Sequence, residues 1–125
     1  MLSRAAAIAA TLLFAPPAIA QAGDAAKGKA VFARCAACHS LEAGQRRIGP
    51  SLNGLFGRTS GTSASFAYSP AMKSAKIRWD AKSLDAFLAK PSTKAPGNKM
   101  VFPGLANPAD RANLIAYLAS ATKKK

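Results

Sequence analysis

The chain has 125 residues and a formal net charge of +13, from 18 Lys and Arg against 5 Asp and Glu. That length is one domain, with no second domain or internal repeat in the pattern. Two Cys and one His exclude a four-ligand structural zinc site, a disulfide framework and any pair of His ligands.

The first twenty residues read as a targeting segment. Arg4 supplies a short positive region, Ala5 to Ile19 is almost wholly apolar, and Ala18-Ile19-Ala20 is an A-x-A cleavage signature. The reading is a signal peptide over 1–20, cleaved after Ala20, with a mature domain over 21–125 beginning at Gln21 in the periplasm. The alternative is a retained anchor, but the apolar run is short for a membrane span and is broken by Pro16-Pro17. A domain of this size buries only about two-thirds of the surface its unfolded chain exposes.

Asp24 to Ala33 is expected to be the first helix, capped by Asp24 and rich in good helix formers. Gly28 inside it costs about 1 kcal/mol relative to alanine, which makes sense where a second helix crosses closely. Val31 and Phe32 lie at i+3 and i+4 from it and form the expected buried face. Directly after this helix comes Cys35-Ala36-Ala37-Cys38-His39, the C-x-x-C-H spacing of covalent c-type haem attachment. Two sulfurs three positions apart lie on one side of a helical turn and can add to the two vinyl groups of one porphyrin edge. The adjacent His39 then reaches the iron as a proximal ligand. A redox dithiol lacks the βαβ setting it needs here, and a disulfide closing so small a loop leaves the His unexplained.

Residues 40–65 show no sustained period of either kind, which is reasonable if this chain wraps a cofactor. Asp80 caps a helix running to Lys90, with Leu84, Phe87 and Leu88 on one face and Pro91 stopping it. Met100 sits in Pro96-Gly97-Asn98-Lys99-Met100-Val101-Phe102-Pro103-Gly104, a turn-rich loop able to present a thioether without helical constraint. It is the expected sixth iron ligand. Flexible core filling is the other role of a methionine and is the reading for Met72. Asn107-Pro108-Ala109-Asp110 opens a last helix, with Leu114, Ile115, Tyr117 and Leu118 on its apolar stripe. The expected fold is all-α, with three main helices and loops folded over one haem.

His/Met ligation raises the reduction potential and leaves no vacant coordination position, which suits one-electron transfer. No spare His and no paired carboxylates are present for acid–base catalysis, so the chain is not expected to be an enzyme. The charge points to acidic protein partners, with solubility as the plainer use of the lysines. Nucleic acid is not expected, since no aromatic-interleaved basic strand or recognition helix appears.

From Asp24 to Ser120 the chain resembles class I cytochromes c of the soluble bacterial type, close to the mitochondrial protein. The matching residues are Gly28 with Phe32; the Cys35–His39 motif; Gly49-Pro50-Ser51-Leu52; Gly54-Leu55-Phe56-Gly57-Arg58; Phe66-Ala67-Tyr68; Trp79; the segment 96–102; and Leu114-Ile115-Ala116-Tyr117-Leu118. The resemblance implies that Pro50 accepts from the His39 ring. It implies that Arg58, Tyr68 and Trp79 hydrogen-bond around a haem propionate, with Asn98 able to donate to a propionate or a water. It further implies that Phe102 packs on the exposed haem side and that Gly28 meets the last helix near Tyr117. Three residues depart from the family: Phe87 stands where Tyr is frequent, Asn98 where Thr is common and Met72 where Asn is usual. Pro70 also replaces a common acidic residue.

The implied partners are acidic docking surfaces on a quinol–cytochrome c reductase or dehydrogenase and on an oxidase, reaction centre or reductase. Arg34, Arg46, Arg47, Lys94 and Lys99 are the expected docking cations, and Lys123 to Lys125 a solvated tail. A monomeric carrier touching the membrane only transiently is the leading reading. A haem peroxidase or ligand sensor acting through a labile Met100 bond is one alternative. A dedicated electron acceptor of one dehydrogenase is the other.

Overall fold

A computed structural model describes residues 6–14 and 23–125. Among the described residues five helices follow in order: α1 (Ala25–Ala36), α2 (Pro70–Ala75), α3 (Ala81–Ala89), α4 (Pro91–Lys94) and α5 (Pro108–Ala121). Among the described residues the only β pairing is an isolated antiparallel bridge between Thr59 and Arg78.

The pairing of α1 with α5 is the most extensive helix contact, and the sequence prepares it at both helix starts. The Asp24 carboxylate accepts from the Ala26 and Lys27 amides at 2.9 and 3.2 Å, capping α1. The Asp24 amide in turn donates to Asn113 Oδ1 on α5 at 2.8 Å. Gly28 lies against the Asn113 carbonyl and the Tyr117 side chain, so a Cβ there would overlap both. Four residues further along α1, the Phe32 ring packs on Tyr117 at 5.3 Å. The close crossing expected at Gly28 is therefore present. Helix α1 runs three residues past the expected Ala33, which places Cys35 on its last turn.

Helix α3 begins at a reciprocal cap: Asp80 Oδ1 accepts from the Ser83 amide at 2.7 Å, and Ser83 Oγ accepts from the Asp80 amide at 2.9 Å. Its apolar face buries Leu84, Phe87 and Leu88. Pro91 ends this helix as expected, and it also opens the four-residue α4. Proline does both because its missing N–H suits a first helical position and no other. Helix α2 is the other element not anticipated; Ser69 caps it and Pro70 opens it.

The long loops are pinned by backbone bonds. The Gly57 amide donates to the Trp79 carbonyl at 2.8 Å, Trp79 to Arg58 at 2.9 Å and Ser60 to Ile77 at 2.7 Å. These bring Arg58 and Trp79 side by side. One core joins all three long helices, through Phe32, Leu84, Phe87, Leu88, Leu114, Ile115 and Leu118, with Leu55, Trp79 and Leu105 from the loops.

The cleavage site after Ala20 and the mature start at Gln21 lie outside the described residues. Of the expected leader, residues 6–14 are described. They have no secondary structure and leave Ile8, Leu12, Leu13 and Phe14 exposed. Among the described residues no helix is long and apolar enough to cross a membrane.

Candidate functional site

A cavity of about 250 Å³ opens into the core. Protein interiors pack as densely as organic crystals and hold few voids larger than a water. A volume of this size in so small a domain is therefore a built feature. Its wall brings together Cys35, Cys38, His39, Pro50, Arg58, Tyr68, Trp79, Asn98, Met100 and Phe102. Every residue proposed from sequence as a site residue thus faces one space, though they span sixty-eight positions of chain.

The two thiols are unpaired and partly buried at the end of α1. The Cys38 and His39 amides both donate to the Cys35 carbonyl, at 3.0 and 2.8 Å, in a tight turn that carries the chain off the helix and onto the cavity. Burial pushes the Cys35 thiol above its ordinary range, against the pull of the Arg34 charge.

His39 Nδ1 lies 2.7 Å from the Pro50 carbonyl oxygen. A carbonyl can only accept, so Nδ1 carries the proton and Nε2 keeps a free lone pair. Burial lowers the His39 pKa; the Pro50 bond opposes this and the Arg58 charge adds to it. The net effect favours the neutral, ligating form. Gly49 makes room for the ring: a Cβ there would sit 2.6 Å from His39 Cε1 and 2.9 Å from Nδ1.

Arg58 Nη1 donates to the Asn53 carbonyl and Nη2 to the Ser51 carbonyl, both at 3.0 Å. It thereby fixes the backbone next to Pro50. Burial lowers its pKa, and the neighbouring Tyr68 opposes that. The Tyr68 hydroxyl accepts from the Ser63 amide at 3.0 Å, which leaves its own proton free to donate. Trp79 is buried and packs edge-on against Phe87 at 5.0 Å.

Asn98 is engaged within its own loop. Its Nδ2 donates to the Ala95 carbonyl at 2.8 Å, and its Oδ1 accepts from the Met100 amide at 2.9 Å. The side chain thus shapes the turn that presents Met100, with one amide hydrogen left over. Met72, on α2, lines the same cavity and packs against the core, as Met100 does.

Two residues of the cavity mouth escaped the sequence reading. Ile48 is 79% exposed and Val101 fully exposed, although both are large and apolar. Both line the cavity, beside Arg34 and Lys99. Within the tail, Lys125 makes an exposed ion pair with Glu42 at 2.8 Å, so it is not wholly solvated.

These features fit a covalently held haem: two free thiols on one turn, an imidazole with Nε2 free, and an apolar cavity lined by that imidazole and a thioether loop. Among the described residues no three His, Cys, Asp or Glu side chains converge on a metal ion.

Comparison with known proteins agrees. The cytochrome c family model matches residues 25–122. A cytochrome c of Chlamydomonas reinhardtii is 52% identical over 105 residues, covering 82% of this chain and 94% of that protein. A cytochrome c2 of Rhodoblastus acidophilus is 46% identical over 99 residues, covering 78% and 92%. Among solved structures, cytochrome cH from Methylobacterium extorquens superposes with a TM-score of 0.74 at 42% identity, covering 78% of this chain and 99% of that one. The chain therefore belongs to the cytochrome c family, whose members carry electrons on a covalently bound haem.

Proposed function

We propose that the protein is a soluble, monomeric periplasmic carrier of single electrons. Its one haem c is attached through Cys35 and Cys38 and ligated by His39 and Met100. It shuttles between a membrane quinol–cytochrome c reductase or dehydrogenase and a terminal oxidase, reaction centre or reductase. The observation that carries this reading is the single cavity that has Cys35, Cys38, His39 and the Met100 loop in its wall. Export rests on the Ala5–Ile19 run and the Ala18-Ile19-Ala20 signature over 1–20.

When bound, the haem supplies the one-electron couple; the chain supplies binding, orientation and exclusion of water. Pro50 holds the His39 ring through Nδ1 and Gly49 leaves room for it, so Nε2 is the nitrogen left to ligate. Arg58, Tyr68 and Trp79 line the cavity, where a guanidinium, a free phenolic proton and an indole N–H would hold a propionate charge. Met100 would supply the second protein ligand to the iron, leaving no position there for a substrate. Phe102, Ile48 and Val101 give the mouth an apolar centre, with Arg34, Arg46, Arg47, Lys94 and Lys99 as the docking cations. Acidic partners meet such a face quickly at low salt, and no bond in the partner is made or broken.

The test uses haem-loaded protein exported from a host with attachment machinery. We expect a reversible one-electron titration, and transfer rates to an acidic redox partner that fall steeply as salt rises. Rates indifferent to salt would remove the basic docking face. Rapid cyanide or carbon monoxide binding at neutral pH would replace the carrier with the peroxidase or sensor reading, to which the hydroxyl-free Phe87 in the cavity wall lends its only support. Co-purification with one dehydrogenase at physiological salt would make it a dedicated acceptor.

A further inference from the structure

The loop that presents Met100 leaves α4 at Ala95 and joins α5 at Pro108, and its two roots are held very differently. At the first root Ala95 is buried and its amide donates to the Pro91 carbonyl of α4 at 3.0 Å, Asn98 bonds within the loop, and Lys99 Nζ donates to the Ala67 carbonyl at 3.4 Å. At the second root the loop is tied to two helices. Arg111, on the first turn of α5, donates from Nε to Asp85 Oδ1 on α3 at 2.7 Å. Its Nη1 donates to the Leu105 carbonyl at 2.8 Å and to the Ala106 carbonyl at 3.1 Å. The Leu105 amide donates to the Leu88 carbonyl on α3 at 2.8 Å. The Arg111 side chain is only 13% exposed, although the chain is rich in cations with free access to water.

We propose that Arg111 is a positioning residue for the Met100 ligand, a role that rests on the His39/Met100 reading above. One planar guanidinium joins α3, α5 and two consecutive loop carbonyls, and Asp85 fixes the plane of that fork. Leu105 lies five positions after Met100, so the orientation of these carbonyls sets the direction from which the loop returns over the cavity. Between the roots, Lys99, Val101 and Pro103 are exposed. Met100 and Phe102 pack on the core from this segment, but its exposed residues leave it less buried than the helices that flank it, and it is expected to open at lower free energy than they do. Loosening the second root therefore releases Met100 before the fold as a whole is lost. Lysine cannot replace arginine here, because an ammonium does not present two donor edges in one plane.

The test compares haem-loaded Arg111→Lys and Asp85→Asn with wild type and with Glu42→Gln, which removes the remote ion pair to Lys125. Imidazole, mainly uncharged at pH 8, is titrated into the ferric proteins as a probe of the state with Met100 dissociated, and helix unfolding by urea is followed separately. We expect imidazole affinity to rise at least about tenfold in both loop-root variants and not in Glu42→Gln. The far-red methionine–iron band should then be lost at lower urea than the helices. Unchanged imidazole affinity in both variants, or loss of band and helices together, would overturn the proposal. A wild-type protein without the far-red band, or one whose band survives Met100→Ala, would instead remove the ligation reading on which it rests.

Discussion

At the scale of single residues, the site depends on how one imidazole is held. The proton of His39 is fixed by Pro50, and the space for the ring is left by Gly49. A Gly49→Ala variant places a methyl 2.6 Å from Cε1 of a ring that its hydrogen bond prevents from turning away. We expect a loss of about 1–3 kcal/mol, the range for overpacking a filled site, read as a lower urea midpoint of the haem-loaded protein. A midpoint equal to wild type would show that the ring can yield. The C-x-x-C-H residues were legible in the sequence because covalent attachment demands a fixed local spacing. The exposure of Ile48 and Val101 was not legible. Apolar composition argues for burial, and only the fold shows that these two side chains border the cavity mouth.

At the scale of elements, the crossing of α1 with α5 was legible from a glycine in an otherwise strong helix former, and its cost can be weighed. Alanine at position 28 gains about 1 kcal/mol of helix propensity. It also drives a Cβ into the backbone carbonyl of Asn113, which cannot move aside as a flexible side chain would. Overpacking of about 1–3 kcal/mol, here at its upper end, outweighs the gain. Gly28→Ala should therefore unfold at lower urea than wild type; an unchanged or higher midpoint would mean that the helices can separate freely.

Helix α3 carries a pH signature. Hydrogen bonds from Ser83, its amide first, and the nearby Lys82 pull the Asp80 carboxyl below its usual value of 3.8. A folded pKa below the unfolded one means that the cap stabilises above about pH 4 and is lost as pH falls through the folded value. The difference in stability between wild type and Asp80→Ala should be full at neutral pH and shrink in acid. A difference that persists undiminished in acid would contradict the charged cap. Helices α2 and α4 went unread because six and four residues are too few to display a helical period, and Pro70 and Pro91 look like breaks until seen as first-turn residues.

At the scale of the molecule, the chain folds around a space that it does not fill itself. Residues 40–65 lack periodicity because their side chains answer to the cavity and to loop carbonyls instead of to a helix or sheet neighbour. Leu52 and Leu55 face the cavity, while Ser51 and Asn53 supply the carbonyls that Arg58 clamps. A thioether loop and an imidazole both line the cavity, and that pairing is the centre of the account. The most direct measurement is the visible spectrum of the exported, haem-loaded protein, oxidised and reduced, beside its Met100→Ala variant. The account predicts sharp low-spin reduced bands and a weak far-red band in the ferric wild type that disappears in the variant. A high-spin wild-type spectrum, or a far-red band unchanged in the variant, would contradict it.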